Sequence, residues 1–281
     1  MKSRKIAVWG FVMVLAWAGP GLGDLSSGLV AYYPFNGNAN DESGNGNNGT
    51  VYGATLTVDR LGNLNSAYSF DGIDDYVLVP DSDSLDLTTT GTVAPSGTLA
   101  AWVNVPTGAR DDFTAIVVKM GWSSGGGSSY ELLNRLIGWD TPERYGSYQT
   151  LLGIAHDSSH NLAAYSARDI SDGKWHHVAF VWDVPVAILY LDGKNATEET
   201  TSGTGAKVTD FDLHIGRYHY DPHGGWDSWD GLIDDVRIYN RALSGAEVQE
   251  LSVVPVPGAA ALCVLGIGVA SGFLRRRTAG A

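Results

Sequence analysis

Asp41 and Asp234 are the two carboxylates in this sequence whose surroundings ask for a counter-charge. In Gly231–Tyr239 the even positions are Leu232, Asp234, Val236 and Ile238, so strand alternation puts Asp234 in a row with three apolar residues. A carboxylate on a core-facing row is costly unless neutralised. Calcium is the ion this chemistry suggests, because it takes oxygen ligands from carboxylates, amides and carbonyls. The segment from Asn36 to Asn48 is irregular and rich in oxygen, so Asn40, Asp41 and Asn47 could complete a shell around an ion held by Asp234. The competing reading is that Asp234 caps a turn or pairs with Arg237 or Arg241, while the Asn-rich loop is only a turn. Asp71-Gly72-Ile73-Asp74-Asp75 and the stretch from Asp81 to Asp86 lack the spacing of an EF-hand loop and read as solvated hairpin turns.

A second constellation is aromatic. The segment from Tyr218 to Asp230 has the Pro and Gly content of a loop yet contains Tyr218, Tyr220, Trp226 and Trp229, with Asp227 beside them. Exposed rings stack on sugar C–H groups and acidic side chains accept from sugar hydroxyls, so Tyr218, Tyr220, Trp226, Asp227 and Trp229 are the candidate carbohydrate contacts. The alternative is a loop folded back over a sheet, with its rings buried as a satellite core.

Catalytic groupings are weak by comparison. Gly121-Trp122-Ser123-Ser124-Gly125 has the spelling of a nucleophile elbow, but that motif needs a strand-to-helix turn, and Gly126-Gly127-Ser128-Ser129 reads as a flexible loop. His176 and His177 are adjacent in an extended run, so they point to opposite faces and cannot share a site. No His-Glu-x-x-His zinc motif is present. The chain reads as non-catalytic.

Composition narrows the partners. The chain has 281 residues, 44% hydrophobic, and a formal net charge of −13, so it can bury a sizeable core. Six of its 18 basic residues (Lys2, Arg4, Lys5, Arg275, Arg276 and Arg277) sit at the ends, leaving 12 against 31 acids, or −19, between them. Such a surface repels phosphate backbones, which argues against nucleic acid. Lys2, Arg4 and Lys5 followed by apolar Ile6 to Trp17 form a signal peptide, cleaved after Ala18 or, preferably, after Gly23. At the other end Pro255-Val256-Pro257-Gly258 leads into an uncharged run from Ala259 to Leu274 and then three arginines. That order holds the tail at a membrane, at least until it is processed. Cys263 is the only cysteine and lies in this tail, so the folded region has no disulfide. The expected organisation is a signal peptide over 1–23, one domain over 25–251 and an anchor helix segment over 252–281.

The elements that must position these residues are strands. Short apolar or alternating runs separated by Gly, Asn, Asp and Ser clusters recur through the middle of the chain. They fall at Gly28–Phe35, Ala67–Asp71, Asp75–Pro80, Thr98–Val105, Thr114–Met120, Thr150–His156, Lys174–Trp182, Val186–Asp192, Phe211–Arg217 and Gly231–Tyr239. One helix is expected, opened by the capping box Ser244-x-x-Glu247. So many strands with so little helix imply an all-β, two-sheet antiparallel sandwich.

Four segments in order carry a family resemblance. They are Leu29-Val30-Ala31-Tyr32-Tyr33-Pro34-Phe35-Asn36, Ala67-Tyr68-Ser69-Phe70-Asp71-Gly72, Gly173-Lys174-Trp175-His176-His177-Val178-Ala179, and Gly231 to Ser244. With them the chain resembles the laminin-G-like, concanavalin A-like jelly rolls of bacterial surface proteins. The tail resembles PEP-CTERM sorting signals, which implies an exosortase-type enzyme as partner. The resemblance also implies that the two ends of the domain meet and could share a calcium ion there. Glycosidases of this fold carry Glu-x-Asp-x-x-Glu on one strand, and that string is absent here. The expectation is an exported cell-envelope module that binds surface or extracellular polysaccharide. The alternatives are a structural matrix protein without a small ligand and a divergent glycoside hydrolase or lyase.

Overall fold

The structure, a computed structural model, describes residues 24–88, 91–109, 114–121, 127–136, 149–156, 161–218 and 227–253. Residues 1–23, read as a signal peptide, residues 254–281 of the tail read as a sorting segment, Tyr220 and Trp226 lie outside those residues. In chain order the strands begin with β1 (Leu29–Tyr33), β2 (Thr50–Tyr52), β3 (Thr55–Thr57), β4 (Ala67–Asp71) and β5 (Tyr76–Val79). Next come β6 (Val93–Ala94), β7 (Ser96–Asn104), β8 (Thr114–Gly121), β9 (Gly127–Leu136) and β10 (Gln149–His156). They continue with β11 (Asn161–Ser166), β12 (Trp175–Asp183), β13 (Val186–Leu191), β14 (Lys194–Asn195) and β15 (Glu199–Thr200). The last are β16 (Ala206–Lys207), β17 (Leu213–Ile215), β18 (Arg217–Tyr218), β19 (Asp227–Ser228) and β20 (Asp230–Tyr239). Helix α1 (Gly245–Leu251) closes the described chain.

Two eight-stranded antiparallel sheets face each other. The first runs β14-β13-β12-β7-β20-β4-β3, with β1 pairing with β20 outside that path; the second runs β15-β11-β10-β9-β8-β17-β5-β2. Their inner faces share one core that includes Tyr33, Phe35, Leu99, Val103, Tyr130, Phe180, Trp182 and Trp229. The outer face of the first sheet is covered by α1, whose Val248 and Leu251 pack on Ala100, Ala179, Val181 and Tyr239. Ser244 caps that helix as expected, accepting from the Glu247 N–H while the Glu247 carboxylate accepts from the Ser244 N–H.

β1 pairs with β20, so the domain's first and last strands meet, as the resemblance implied. β20 carries a bulge against β7 between Asp234 and Arg237, with Asp235 at φ 48°. The extra residue resets the alternation. Ile233 faces the core before the bulge, and Val236 and Ile238 face it afterwards. Asp234 therefore stands opposite Trp102 and shares the outer face with it, off the core row assigned from the unbroken pattern. β9 and β11 were not expected. Ser129 is fully buried in β9 despite its Gly/Ser-rich start, and its hydroxyl donates to the Lys207 carbonyl.

Candidate functional site

A recess lies on the outer face of the second sheet, at its β5–β2 edge. Tyr52 and Tyr76 are directly paired across β2 and β5, one step from the paired Val51 and Val77 that point to the core. Alternation turns both tyrosines outward. Their rings stack almost parallel, with centroids 4.5 Å apart and an interplanar angle of 8°. Arg217 leaves β17 through Gly216, which has φ 85° and where a Cβ would sit 2.3 Å from the Phe70 ring. That turn lays the Arg217 guanidinium 3.3 Å from the centroid of Tyr76, a cation–π contact. Partial burial lowers the Arg217 pKa from its ordinary value. Together Tyr52, Gly53, Asp74, Tyr76 and Arg217 line a pocket of about 430 Å³.

The acidic wall is the β4–β5 turn. Asp71 Oδ1 accepts from the Ile73 N–H, and the buried Asp75 Oδ2 accepts from the Asp71 N–H, at 2.8 and 2.9 Å. Burial raises the Asp75 pKa. One oxygen from each of Asp71, Asp74 and Asp75 lies within 4.8 Å of the other two, and Asp71 and Asp74 are exposed. Gly53, at φ 73°, makes the close approach possible, because a Cβ there would fall 1.9 Å from Asp75 Oδ1. The candidate aromatic loop returns to this turn. Arg217 pairs with Ser228 and Tyr218 with Asp227, while Ser228 Oγ donates to the Ile73 carbonyl at 3.0 Å.

The residues anticipated from the sequence are distributed differently. Trp229 is 1% exposed and belongs to the main core, so it is no sugar platform; its carbonyl instead accepts from Gly72. Tyr218 is half-buried and packs against an outer apolar cluster around Leu133 and Leu152. Asp41 and Asp234 engage separate networks. Asp41 Oδ1 accepts from the Tyr32 and Ser43 amides, and Oδ2 accepts from the Ser43 hydroxyl and the Asn47 amide. Four donors fill a carboxylate's lone-pair capacity. The Asn47 side chain is engaged by Val30, Ser82 and Ser84, and Asn40 is exposed. Asp234 Oδ2 takes a guanidinium N–H of Arg60, and its Oδ1 takes the Asp235 N–H at 2.7 Å. The cation beside Asp234 in this structure is Arg60, which also reaches Asp235 and lies over the Trp102 ring at 4.8 Å. Burial is the largest influence on Asp234 and lifts its pKa to about 7 despite that partner.

Two other sequence readings meet the structure directly. Gly121 ends β8 and pairs with Gly127 of β9, while Trp122, Ser123, Ser124 and Gly125 of the Gly-x-Ser-x-Gly spelling lie outside the described residues. His177 packs against Trp102 on the outer face, while His176 reaches Asp172 and Asp192. The pocket residues Tyr52, Tyr76 and Arg217 were missed. The signal available was local, a Val-Tyr and a Tyr-Val step that each turn a tyrosine outward, but only the pairing of β2 with β5 joins them.

Residues 71–249 match the model of the Laminin_G_3 family, described as the concanavalin A-like lectin/glucanases superfamily. The chain belongs to that family. Solved structures similar in fold include domain 4 of AbnA, a GH43 extracellular arabinanase from Geobacillus stearothermophilus, in complex with arabinotriose. That domain is similar to this chain at 21% identity and TM-score 0.56, over 80% of this chain and 98% of its own. The binding domain of Paraclostridial Mosquitocidal Protein 1 is similar at 15% identity and TM-score 0.59, over 81% of this chain and 52% of its own. The botulinum neurotoxin serotype D ligand-binding domain, in complex with N-acetylneuraminic acid, matches at 14% identity and TM-score 0.56, over 81% of this chain and 51% of its own. This Laminin_G_3 chain spans about half the length of the toxin domains, and the likeness to all three is one of fold. Among curated proteins none matches the chain in sequence.

Proposed function

We propose that this chain is an exported, non-catalytic carbohydrate-binding module whose sugar rests against the exposed Tyr52 ring, which Tyr76 backs from behind. The observation that carries the reading is the pair of stacked tyrosines facing outward beside one guanidinium and one carboxylate. An aromatic surface supplies apolar contact to sugar C–H groups, while Arg217 donates to hydroxyl oxygens and Asp74 accepts from hydroxyls. Arabinotriose and N-acetylneuraminic acid in two structures of the same fold support a glycan as the ligand class. The acids at the pocket, Asp71, Asp74 and Asp75, sit together on one turn. Glycoside hydrolysis needs two carboxyl groups flanking the scissile bond, which argues for binding without cleavage. The terminal charge and apolar patterns support export and retention at the cell envelope, with a surface or extracellular polysaccharide as partner and an exosortase-type enzyme acting on the tail.

A glycan array with the purified protein and with Tyr52→Ala tests this. Tyr52 is 42% exposed, so its truncation should cost only the stacked pair with Tyr76, lowering the thermal midpoint by a few degrees, while abolishing glycan retention. Retention that survives Tyr52→Ala would place the ligand elsewhere, and an array without any binder would favour a structural surface protein.

A further inference from the structure

We propose that the Tyr52–Tyr76–Arg217 pocket selects neutral sugars and discriminates against uronic and sialic acids. The inference rests on the pocket being a sugar site and names the ligand class that its charges admit.

Hydrogen-bonding capacity comes first. Asp74 as a carboxylate only accepts, and Arg217 only donates. A neutral sugar offers hydroxyls that do both, so neighbouring hydroxyls can give a proton to Asp74 and take one from Arg217. A sugar carboxylate only accepts. It could be served by Arg217, but it would then lie against Asp74.

The local charge count decides between the two ligands. Among the described residues Arg217 is the cation lining the pocket, and it already lies over the Tyr76 ring. Asp74 lines the same pocket, and an oxygen of Asp71 and one of Asp75 fall within 4.8 Å of it. Counting only the exposed Asp71 and Asp74 against Arg217 leaves an excess of one negative charge, and Asp75 when ionised adds a second. The chain as a whole carries −13, so the wider field does not offset this excess. A like charge at contact distance in water weakens binding by about fivefold. An acidic sugar should therefore bind roughly five- to twentyfold more weakly than a neutral one of equal size.

The site also has the means to hold this arrangement. The acidic turn is fixed from two sides, by the Gly72 N–H donating to the Trp229 carbonyl and the Ser228 hydroxyl donating to the Ile73 carbonyl. Asp74 therefore cannot swing away with its turn to admit an anion without breaking those bonds.

Titration calorimetry with arabinotriose, galactotriose, trigalacturonate and sialyllactose tests the assignment, in low and high salt with a chelator present. Neutral trisaccharides should bind more tightly than both acidic ones by about five- to twentyfold, and the gap should close in high salt as screening removes the repulsion. Asp74→Asn should narrow the gap severalfold by strengthening the acidic ligands. Acidic sugars binding as tightly as neutral ones, with Tyr52→Ala abolishing both, would overturn the selectivity while leaving the pocket as the site. Binding that Tyr52→Ala does not touch would overturn the site itself.

Discussion

Replacing Asp234 by Asn should change how the stability of this domain depends on pH, and the direction follows from burial. Asp234 is 2% exposed, and its carboxyl titrates near 7 in the fold against 3.8 for an ordinary aspartate. Burial is the main cause, with the neighbouring Asp235 charge adding to it and Arg60 opposing it. The folded state thus holds a proton on Asp234 more tightly than the unfolded chain does. Stability from this group is fully present below pH 3.8 and is lost as pH rises through about 7. At about 1.4 kcal/mol per pH unit, the interval corresponds to roughly 4 kcal/mol. Asn keeps the shape and one acceptor oxygen, enough for the Asp235 N–H or for Arg60 but not for both, and does not titrate; that lost bond is a constant offset that does not vary with pH. The stability of the parent minus that of Asp234→Asn should therefore fall by about 2–4 kcal/mol between pH 4 and pH 8. The other charged groups around it (Arg60, Asp59, Asp235, Arg237 and His177) are common to both proteins and largely cancel in the difference. Urea unfolding followed by tryptophan fluorescence at several pH values gives the quantity directly. A difference that stays flat across that range would refute the argument and show that Arg60 keeps Asp234 ionised throughout.

Other expectations concern single side chains. Lys119 is fully buried, with its ammonium on Asp81, Asp86 and the Thr209 carbonyl. Lys119→Met should cost about 3–5 kcal/mol in urea unfolding, because it leaves two carboxylates facing each other without their cation; a loss under 1 kcal/mol would show that water replaces the ammonium. Trp229→Ala should cost about 3–5 kcal/mol through the cavity it opens, and a variant that loses glycan binding at an unchanged midpoint would return Trp229 to the surface. Asp41→Asn should lower the thermal midpoint by the same amount in calcium and in chelator, since its carboxylate is spent on four protein donors; a loss seen only in calcium would restore the ion.

The sandwich was legible because its pattern is local. The alternation in Ala67–Asp71, the doubly apolar run of β12 and β13, and the Ser244–Glu247 capping box each carry their own signal, and each forms in place. β9 and β11 were not legible because their strand conformation is set by pairing with the strands beside them rather than by a pattern in their own residues. A Gly/Ser start gives β9 no strand propensity of its own, and it is held by pairing with β8 and β10 along its length. Gly153 of β10 is a related case. It reads as a weak point in a strand, yet a Cβ there would meet the Phe180 ring at 2.2 Å, so the residue is set by the opposite sheet.

The candidate site shows the same division in terms of charge. Asp234 was correctly singled out as a buried carboxylate needing neutralisation, but a single bulged residue moved it to the other face, and its cation came from 174 positions away. Arg60 lies in a turn between β3 and β4 and has no periodicity to announce it. Lys119 and Arg241 are similarly committed, one to Asp81 and Asp86, the other to Glu247 beside the helix cap. These three cations thus sit at junctions where buried or half-buried acids are neutralised. At the pocket Arg217 is the one lining cation among the described residues, set against an acidic turn that remains in excess. The scarcity of basic residues, visible from composition alone, becomes a statement about ligand class only once the fold shows where each cation is used.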